Sequence, residues 1–241
     1  MCADCGCGLA PYVPPVAGFT PQRLVRIEQD VLGQNDALAR ENRMWLAQHS
    51  VLALNLLSSP GSGKTSLLER TLIDLQGEID FAVVEGDQQT TRDAERIRAT
   101  GIQAVQINTG KGCHLDARQI GQALTELTPG PGAIVFIENV GNLVCPALFD
   151  LGEAGKVVIL SVTEGEDKPI KYPDMFHRAA LVIINKIDLL PYLDFDLDAC
   201  LGFLRQVNPD VPVLNLSVTQ GSGLSAWYDW LREQQSRVSG R

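Results

Sequence analysis

The sequence predicts an α/β fold in which a mostly parallel sheet of about seven strands is flanked by helices. Short continuous runs of Val, Ile and Leu recur along the chain, and such runs are typical of strands covered on both faces. Each run is followed by a segment with helical character, and this alternation is the pattern of a parallel sheet. The length of 241 residues and the 45% hydrophobic content suit one large domain with a short extension.

The first 50 residues form two predicted segments ahead of the sheet. Residues 1–19 contain three cysteines and then a stretch rich in Pro and Gly, which we interpret as a flexible tether. Residues 20–50 carry apolar side chains at helical spacing, which predicts an amphipathic helix with a break near Gly33. Residues 51–241 then form the predicted α/β domain.

The seven apolar runs are the candidate strands of the sheet. Ligands of such sheets bind beyond the carboxyl ends of the strands, so the residues that follow each run are the candidates for function. In chain order the predicted strands are 51–58, 81–87, 104–108, 133–139, 156–163, 181–185 and 213–217.

A glycine-rich turn follows the first predicted strand. The residues from Ser58 to Thr65 read SSPGSGKT, and the helical sequence SLLERTLIDL comes next. A strand, such a turn and a helix form the P-loop, in which backbone N–H groups surround phosphates at the positive end of the helix dipole. Ser58 stands where the consensus has glycine. The predicted fold is therefore that of a P-loop NTPase, and the alternative is a glycine-rich turn without a ligand.

The P-loop residues have separate predicted roles. Lys64 reaches the β- and γ-phosphate oxygens, and the Thr65 hydroxyl binds magnesium, a hard cation that prefers oxygen ligands. The predicted phosphate-binding residues are Gly61, Ser62, Gly63, Lys64, Thr65 and Ser66.

The end of the sixth predicted strand indicates the base. Asn185, Lys186 and Asp188 form the NKxD pattern of GTP-binding proteins. The Asp188 carboxylate can accept two hydrogen bonds from the guanine ring N–H and amino group, whereas adenine offers no such pair of donors. Ser217 and Val218 end the last predicted strand, where backbone donors to the guanine carbonyl are expected. We therefore predict that the chain binds GTP and GDP.

Two strand ends carry acidic residues near the predicted phosphates. Asp87 ends the second strand and is predicted to hold magnesium together with Thr65. Glu138 stands where an ordinary GTPase has aspartate, and is predicted to hold a magnesium-bound water or to position the attacking water. The Gly141 N–H is predicted to sense the γ-phosphate. Lys64, Asp87, Glu138 and Gly141 are thus the candidate catalytic residues, unless the two carboxylates are merely solvated strand ends.

A second group of residues suits a softer metal. Cys113 and His114 follow the third predicted strand, and Cys145 lies four residues beyond Gly141. Thiolates and imidazole are ligands for zinc or nickel. We expect the three side chains to converge, with a fourth ligand from water, a carboxylate such as Asp116, or a second subunit. The alternative is two buried thiols and a surface histidine. Because Cys145 lies only four residues after Gly141, we also predict that the nucleotide state changes the metal affinity of this site.

The N-terminal cysteines form another candidate metal site. Cys2, Cys5 and Cys7 offer three thiolates, and the amino group or a backbone nitrogen can complete a square-planar set that favours nickel(II). A disulfide between Cys2 and Cys5 is the alternative. The residues interpreted as structural are His49, His177, Cys200, Trp227 and Trp230.

The acidic composition argues against two classes of partner. Lys and Arg number 20 against 29 Asp and Glu, and the resulting net charge of -9 repels nucleic-acid phosphates and anionic lipids. No apolar run approaches the roughly 20 residues that span a bilayer, and the N-terminus lacks the pattern of a secretory signal. We expect a cytoplasmic protein that binds neither nucleic acid nor membrane.

These motifs together resemble the HypB family of hydrogenase nickel-incorporation GTPases. The matching segments are the CxxCxC amino terminus, SSPGSGKT, GKGCH, ENVGNLVCP, EGEDKPIKYP and NKID, and they extend over essentially the whole chain. The resemblance implies a homodimer that delivers nickel to [NiFe] hydrogenase, with other maturation proteins and the hydrogenase large subunit as partners. It also implies a tight nickel site at the N-terminal cysteines and a weaker nickel or zinc site near the dimer interface, at Cys113, His114 and Cys145.

Three rival functions are distinguishable. A metal buffer with a vestigial nucleotide site would keep the cysteines but would not hydrolyse GTP. A small-molecule kinase on the same fold would need an acceptor pocket and no internal thiols. A urease accessory GTPase is closer, but that family typically lacks the CxxCxC leader and the tether.

Overall fold

The computed structural model describes residues 21–87, 92–110 and 112–239. The chain divides into two compact units, residues 1–34 and 35–241. The described part of the first unit is the beginning of helix α1 (Pro21–Gln48), and the sheet belongs to the second unit. The predicted tether and its three cysteines lie outside the described residues.

Strands and helices alternate along the second unit, as the sequence pattern predicts. The strands are β1 (Leu52–Ser58), β2 (Phe81–Asp87), β3 (Gln103–Asn108), β4 (Ile134–Glu138), β5 (Gly155–Ser161), β6 (Ala179–Asn185) and β7 (Val213–Asn215). The helices after α1 are α2 (Lys64–Asp74), α3 (Arg92–Ala99), α4 (Ala117–Leu127), α5 (Cys145–Leu148), α6 (Lys168–Lys171), α7 (Pro173–His177), α8 (Leu197–Val207) and α9 (Leu224–Ser239). A 3₁₀ helix spans Ile187–Tyr192.

The seven strands form one sheet in the order β3-β2-β4-β1-β5-β6-β7, and every pairing is parallel. The predicted fold class is confirmed, with a sheet that is wholly parallel. Every residue of β1 and β4 is buried because helices cover both faces. The carboxyl ends of β1, β2 and β4 are neighbours, and this edge carries the P-loop and the acidic strand ends.

Apolar side chains from both faces of the sheet fill the core. Trp227 of α9 is 1% exposed, and its indole N–H donates to the Thr71 hydroxyl at 2.9 Å. Cys200 of α8 is fully buried in the cluster on the opposite face, among side chains of β5 and β6. Trp227 and Cys200 are therefore core residues, as their helical patterns predict.

Helix α1 is continuous from Pro21 to Gln48, so the predicted break near Gly33 is wrong. Glycine disfavours a helix by about 1 kcal/mol relative to alanine, but its backbone still adopts helical dihedral angles. Good helix formers such as Leu32 and Gln34 lie on either side, and this single cost does not end the helix. Among the described residues, no helix has the length and apolar character needed to cross a membrane.

Candidate nucleotide and metal sites

The P-loop connects the buried strand β1 to helix α2. Gly61 and Gly63 have φ angles of 77° and 97°, a left-handed conformation that favours glycine. The Ser62 hydroxyl lies 2.9 Å from the Ser59 carbonyl oxygen and 2.7 Å from a carboxylate oxygen of Glu164. A cavity of about 530 Å³ lies beside this loop at the carboxyl edge of the sheet. The loop therefore has the shape and position for binding a phosphate chain.

Asn185 joins the predicted guanine motif to the P-loop. Its amide nitrogen donates to the Ser62 carbonyl oxygen at 2.9 Å, and its amide oxygen accepts from the Lys186 N–H at 2.7 Å. The same oxygen lies 3.4 Å from the Val218 nitrogen. A Cβ atom at Gly63 would collide with the Asn185 side chain. This one buried amide thus holds three loops together, a role that sequence reasoning did not assign.

The other base-motif residues lie in the same region. Lys186 has a left-handed backbone with φ of 64°, and its ammonium group donates to the Gly61 carbonyl oxygen at 2.7 Å. Asp188 is half-buried in the 3₁₀ helix, and in the described part of the chain its carboxylate has no side-chain ion pair. Ser217 is fully buried just beyond β7. The structure therefore brings all five predicted base-binding residues to the end of the sheet that carries the P-loop.

Glu138 contacts two P-loop side chains. One carboxylate oxygen accepts hydrogen bonds from the Lys64 ammonium at 3.0 Å and the Thr65 hydroxyl at 2.6 Å. The carboxylate is 2% exposed, and its second oxygen has no hydrogen-bond partner among the described residues. A buried carboxylate oxygen without a partner is costly in the free protein. It is also an acceptor that a hydrated magnesium ion can satisfy, so these residues fit the predicted ion.

Glu85 is a buried acid that the sequence analysis did not single out. It is in register with Glu138 on the neighbouring strand and is 2% exposed. Burial raises the pKa of Glu85 to about 8; the charges of Glu138 and Asp87 add to this shift, and Lys64 opposes it. The raised pKa favours the protonated, neutral form of the Glu85 carboxyl. The sequence contains a signal for Glu85, because it lies two residues before Asp87 in the same strand and such residues lie on the same face of the sheet.

Asp87 and Gly141 line the same cavity as the P-loop. Asp87 is half-buried at the end of β2. Gly141 follows β4, and a Cβ atom added there would lie 3.1 Å from Pro60 of the P-loop. The loop after β4 therefore packs directly against the P-loop, where the predicted γ-phosphate sensor has to be.

Cys113, His114 and Cys145 converge at one place. Their ligand atoms all lie within 4.8 Å of one another, the only such group of three or more Cys, His, Asp or Glu side chains in residues 21–87, 92–110 and 112–239. A hydrogen bond to Cys145 and burial raise the pKa of the Cys113 thiol. Burial lowers the pKa of His114 against an opposing effect of Asp116, which favours a neutral imidazole. The His114 Nδ1 atom lies 3.5 Å from the Cys113 Sγ atom. Two thiols and a neutral imidazole suit nickel or zinc.

The segment around His114 is firmly positioned. The His114 ring packs against the Phe149 ring in a tilted arrangement, with ring centroids 3.8 Å apart and an interplanar angle of 34°. Asp116 is the N-cap of α4 and accepts a hydrogen bond from the Gln119 N–H at 2.9 Å. One oxygen of the Asp116 carboxylate is therefore engaged in the cap, and Asp116 lies outside the group of three.

The three remaining candidate ligands, Cys2, Cys5 and Cys7, lie outside the described residues. The two other histidines contact protein groups. His49 stacks on Trp45 at a centroid distance of 4.0 Å, and the His177 Nδ1 atom lies 3.2 Å from the Val207 carbonyl oxygen. Their structural interpretation is consistent with these contacts.

Residues 52–215 match the sequence profile of the CobW/HypB/UreG nucleotide-binding domain. A hydrogenase maturation factor HypB from Azotobacter vinelandii is 59% identical over 228 residues, which cover 95% of this chain and 75% of that protein. The chain belongs to the HypB family. The predicted resemblance is therefore confirmed.

Two solved HypB structures have the same fold. The Archaeoglobus fulgidus protein is 39% identical and superposes with a TM-score of 0.80 over 85% of this chain and 100% of its own. HypB from Helicobacter pylori, solved in complex with nickel, is 40% identical with a TM-score of 0.79 over 85% and 96% of the two chains. The P-loop fold and the nucleotide-binding domain are thus shared with the family.

Proposed function

We propose that this HypB-family protein is a GTP-hydrolysing nickel metallochaperone that helps insert nickel during [NiFe] hydrogenase maturation. The observation that carries the proposal is the loop after β4. This loop has Gly141 beside the nucleotide cavity and leads directly to Cys145, the first residue of α5 and a member of the group of three metal-ligand side chains. One short segment therefore contacts both sites, as a protein that links GTP hydrolysis to metal handling requires.

The nucleotide site has the residues for hydrolysis. Lys64 and the P-loop N–H groups bind the phosphates, and Asn185, Lys186, Asp188, Ser217 and Val218 surround the base. Thr65 and Asp87 would hold magnesium, which neutralises charge on the phosphates when bound. Glu138 already contacts Lys64 and Thr65, so it can orient water next to the γ-phosphate. Gly141 donates its N–H to the same phosphate.

Nickel is the proposed cargo of the internal site. Cys113, His114 and Cys145 supply soft and borderline ligands, with zinc as the competing ion. The exposed apolar side chains of Val144 and Leu148 flank Cys145. We propose that a second copy of the chain covers this surface in a homodimer and completes the coordination. The N-terminal Cys2, Cys5 and Cys7 are proposed as a separate nickel site on a tether.

Other parts of the proposal rest on the family. The partners are other hydrogenase maturation proteins and the hydrogenase large subunit, and the compartment is the cytoplasm. Residues 1–19, 20–50 and 51–241 are proposed as the tether, the helical segment and the GTP-binding domain.

The deciding experiment compares nucleotide hydrolysis and metal content in one preparation. The purified full chain should hydrolyse GTP in preference to ATP. Nickel should be counted before and after serine replacement of Cys2, Cys5 and Cys7, and separately of Cys113 and Cys145. Each replacement should remove its own share of nickel. A metal-loaded protein that hydrolyses neither nucleotide would support the buffer function, and hydrolysis without nickel binding would exclude a metallochaperone.

A further inference from the structure

We infer that Leu115, held by Asn139, is the positioning residue through which the nucleotide site acts on the internal metal site. The inference rests on the proposed function, because it presupposes a GTP site and a metal site in the same domain. The contacts of Leu115 in this chain connect the two sites. Leu115 follows His114 directly and is fully buried.

The backbone of Leu115 is bound to the loop after β4. Its N–H donates to the side-chain oxygen of Asn139 at 3.2 Å, and the Val140 N–H donates to the same oxygen at 3.0 Å. The Asn139 amide nitrogen donates in turn to the Asn55 side-chain oxygen at 3.3 Å. Asn139 follows Glu138 directly and is 1% exposed. One buried amide thus bonds both the segment that senses phosphate and the segment that carries His114.

The side chain of Leu115 packs on the second nucleotide strand. A Cβ atom added at Gly86 would lie 2.8 to 2.9 Å from three carbons of Leu115. Gly86 stands between Glu85 and Asp87, so the Leu115 side chain contacts the strand end that carries the proposed magnesium ligand. Leu115 therefore contacts both acidic strand ends, by its N–H on one side and by its side chain on the other.

Through these contacts, a small shift of the strand-end segments changes the metal coordination by Cys113, His114 and Cys145. The loop after β4 and the end of β2 are the segments expected to respond to a γ-phosphate. Since Leu115 is buried and close-packed, it must follow them. His114 is its neighbour in the chain, and metal–ligand distances tolerate only about 0.2 Å. A displacement of Leu115 therefore changes the geometry of the group of three.

The other end of the same segment is fixed by helix α1. Asn35 accepts a hydrogen bond from the Ala117 N–H at 2.9 Å, and Asn42 donates to the Ala117 carbonyl oxygen at 2.7 Å. Asn42 also donates to the Leu151 carbonyl oxygen at 3.0 Å. Neither asparagine lines the nucleotide cavity. They support the metal segment without contacting the nucleotide site, and Asn42 therefore provides a matched control.

The test is the ratio of metal affinities in two nucleotide states. Nickel and zinc are titrated into the full chain with Cys2, Cys5 and Cys7 replaced by serine, once with GDP and once with a non-hydrolysable GTP analogue. We expect the parent ratio to lie within about 5- to 150-fold. Asn139→Ala and Leu115→Ala should each bring the ratio below the lower end of that range while GDP still binds. Asn42→Ala should lower both affinities and keep the ratio.

Asn139→Ala removes the hydrogen-bond partner of the Leu115 N–H, and Leu115→Ala removes the side chain that packs on Gly86. Either variant can decide the test if the other does not fold. The inference is overturned if the folded variants keep the affinity ratio of the parent, or if Asn42→Ala reduces that ratio as much as they do. It is also overturned if the parent binds metal equally well in the two nucleotide states. In that last case GTP hydrolysis and nickel binding can persist, and the proposed function stands without this connection. Loss of GTP hydrolysis or nickel binding in the parent itself would instead reject the proposed function. By linkage, nickel should change the affinity for the GTP analogue, relative to the affinity for GDP, by the same factor.

Discussion

The Asn185 amide nitrogen donates a hydrogen bond to the Ser62 carbonyl oxygen at 2.9 Å, which ties the guanine motif to the P-loop. Asn185 is 2% exposed, so water does not compete for this bond. The Lys186 ammonium adds a second link, to the Gly61 carbonyl oxygen at 2.7 Å. The loop that selects the base therefore also supports the loop that binds the phosphates.

Asn185→Ala should weaken GDP and GTP binding about equally. The substitution leaves the Ser62 carbonyl of the P-loop and the Lys186 N–H without their side-chain partner, at a cost of about 1–3 kcal/mol, or roughly 5- to 150-fold in affinity. Fluorescence titration with labelled GDP and GTP measures the two affinities. Asn208→Ala is the matched control, because Asn208 donates to carbonyl oxygens of Phe176 and His177, away from the nucleotide cavity. Unchanged affinities in Asn185→Ala would contradict the supporting role.

Asp188→Asn should change which base is bound. Losing the charged acceptor removes about 1.5–3 kcal/mol, which weakens GTP by one to two powers of ten. Xanthine carries a carbonyl where guanine has its amino group, and an asparagine amide can donate to that carbonyl. The variant should therefore bind xanthosine nucleotides better than the parent does. Equal GTP affinity in parent and variant would reject the assignment of Asp188 to guanine.

Lys64→Ala and Thr65→Ala should each abolish GTP turnover. Both side chains contact Glu138 in the free protein, and their loss removes phosphate and magnesium contacts together with this support. Metal bound by the N-terminal cysteines should persist, since that site is proposed to lie on a separate tether. Phosphate release and nickel content measure the two effects. Thr125→Ala is a control, because its exposed hydroxyl bonds only within α4.

Local sequence patterns predicted much of the fold and of the site. Continuous apolar runs located the strands, and contiguous motifs located the P-loop and the base motif. The support given by Asn185 and the burial of Glu85 depend on which strands become neighbours, and no local pattern reports that. The break predicted near Gly33 was wrong because a single propensity cost does not end a helix.

Cys200 should resist thiol reagents as long as the protein is folded. Burial raises its pKa to about 12 from an ordinary value of 9.0, with a smaller effect of Glu166, so the reactive thiolate is scarce at neutral pH. A variant with the other five cysteines replaced by serine leaves Cys200 as the one reporter. Its labelling by a chromogenic disulfide at pH 8 should require denaturant. Rapid labelling of the folded variant would contradict the buried position.

The same shift predicts how stability depends on pH. Because the pKa of Cys200 is higher in the folded than in the unfolded chain, the folded state favours the neutral thiol. The contribution is fully present below about pH 9 and is lost as the pH rises towards 12. Other groups also titrate in this range, so the informative quantity is the difference between parent and Cys200→Ala in urea unfolding at several pH values. The free energy of unfolding should fall more steeply with pH in the parent. Parallel curves would show that Cys200 ionises equally in both states.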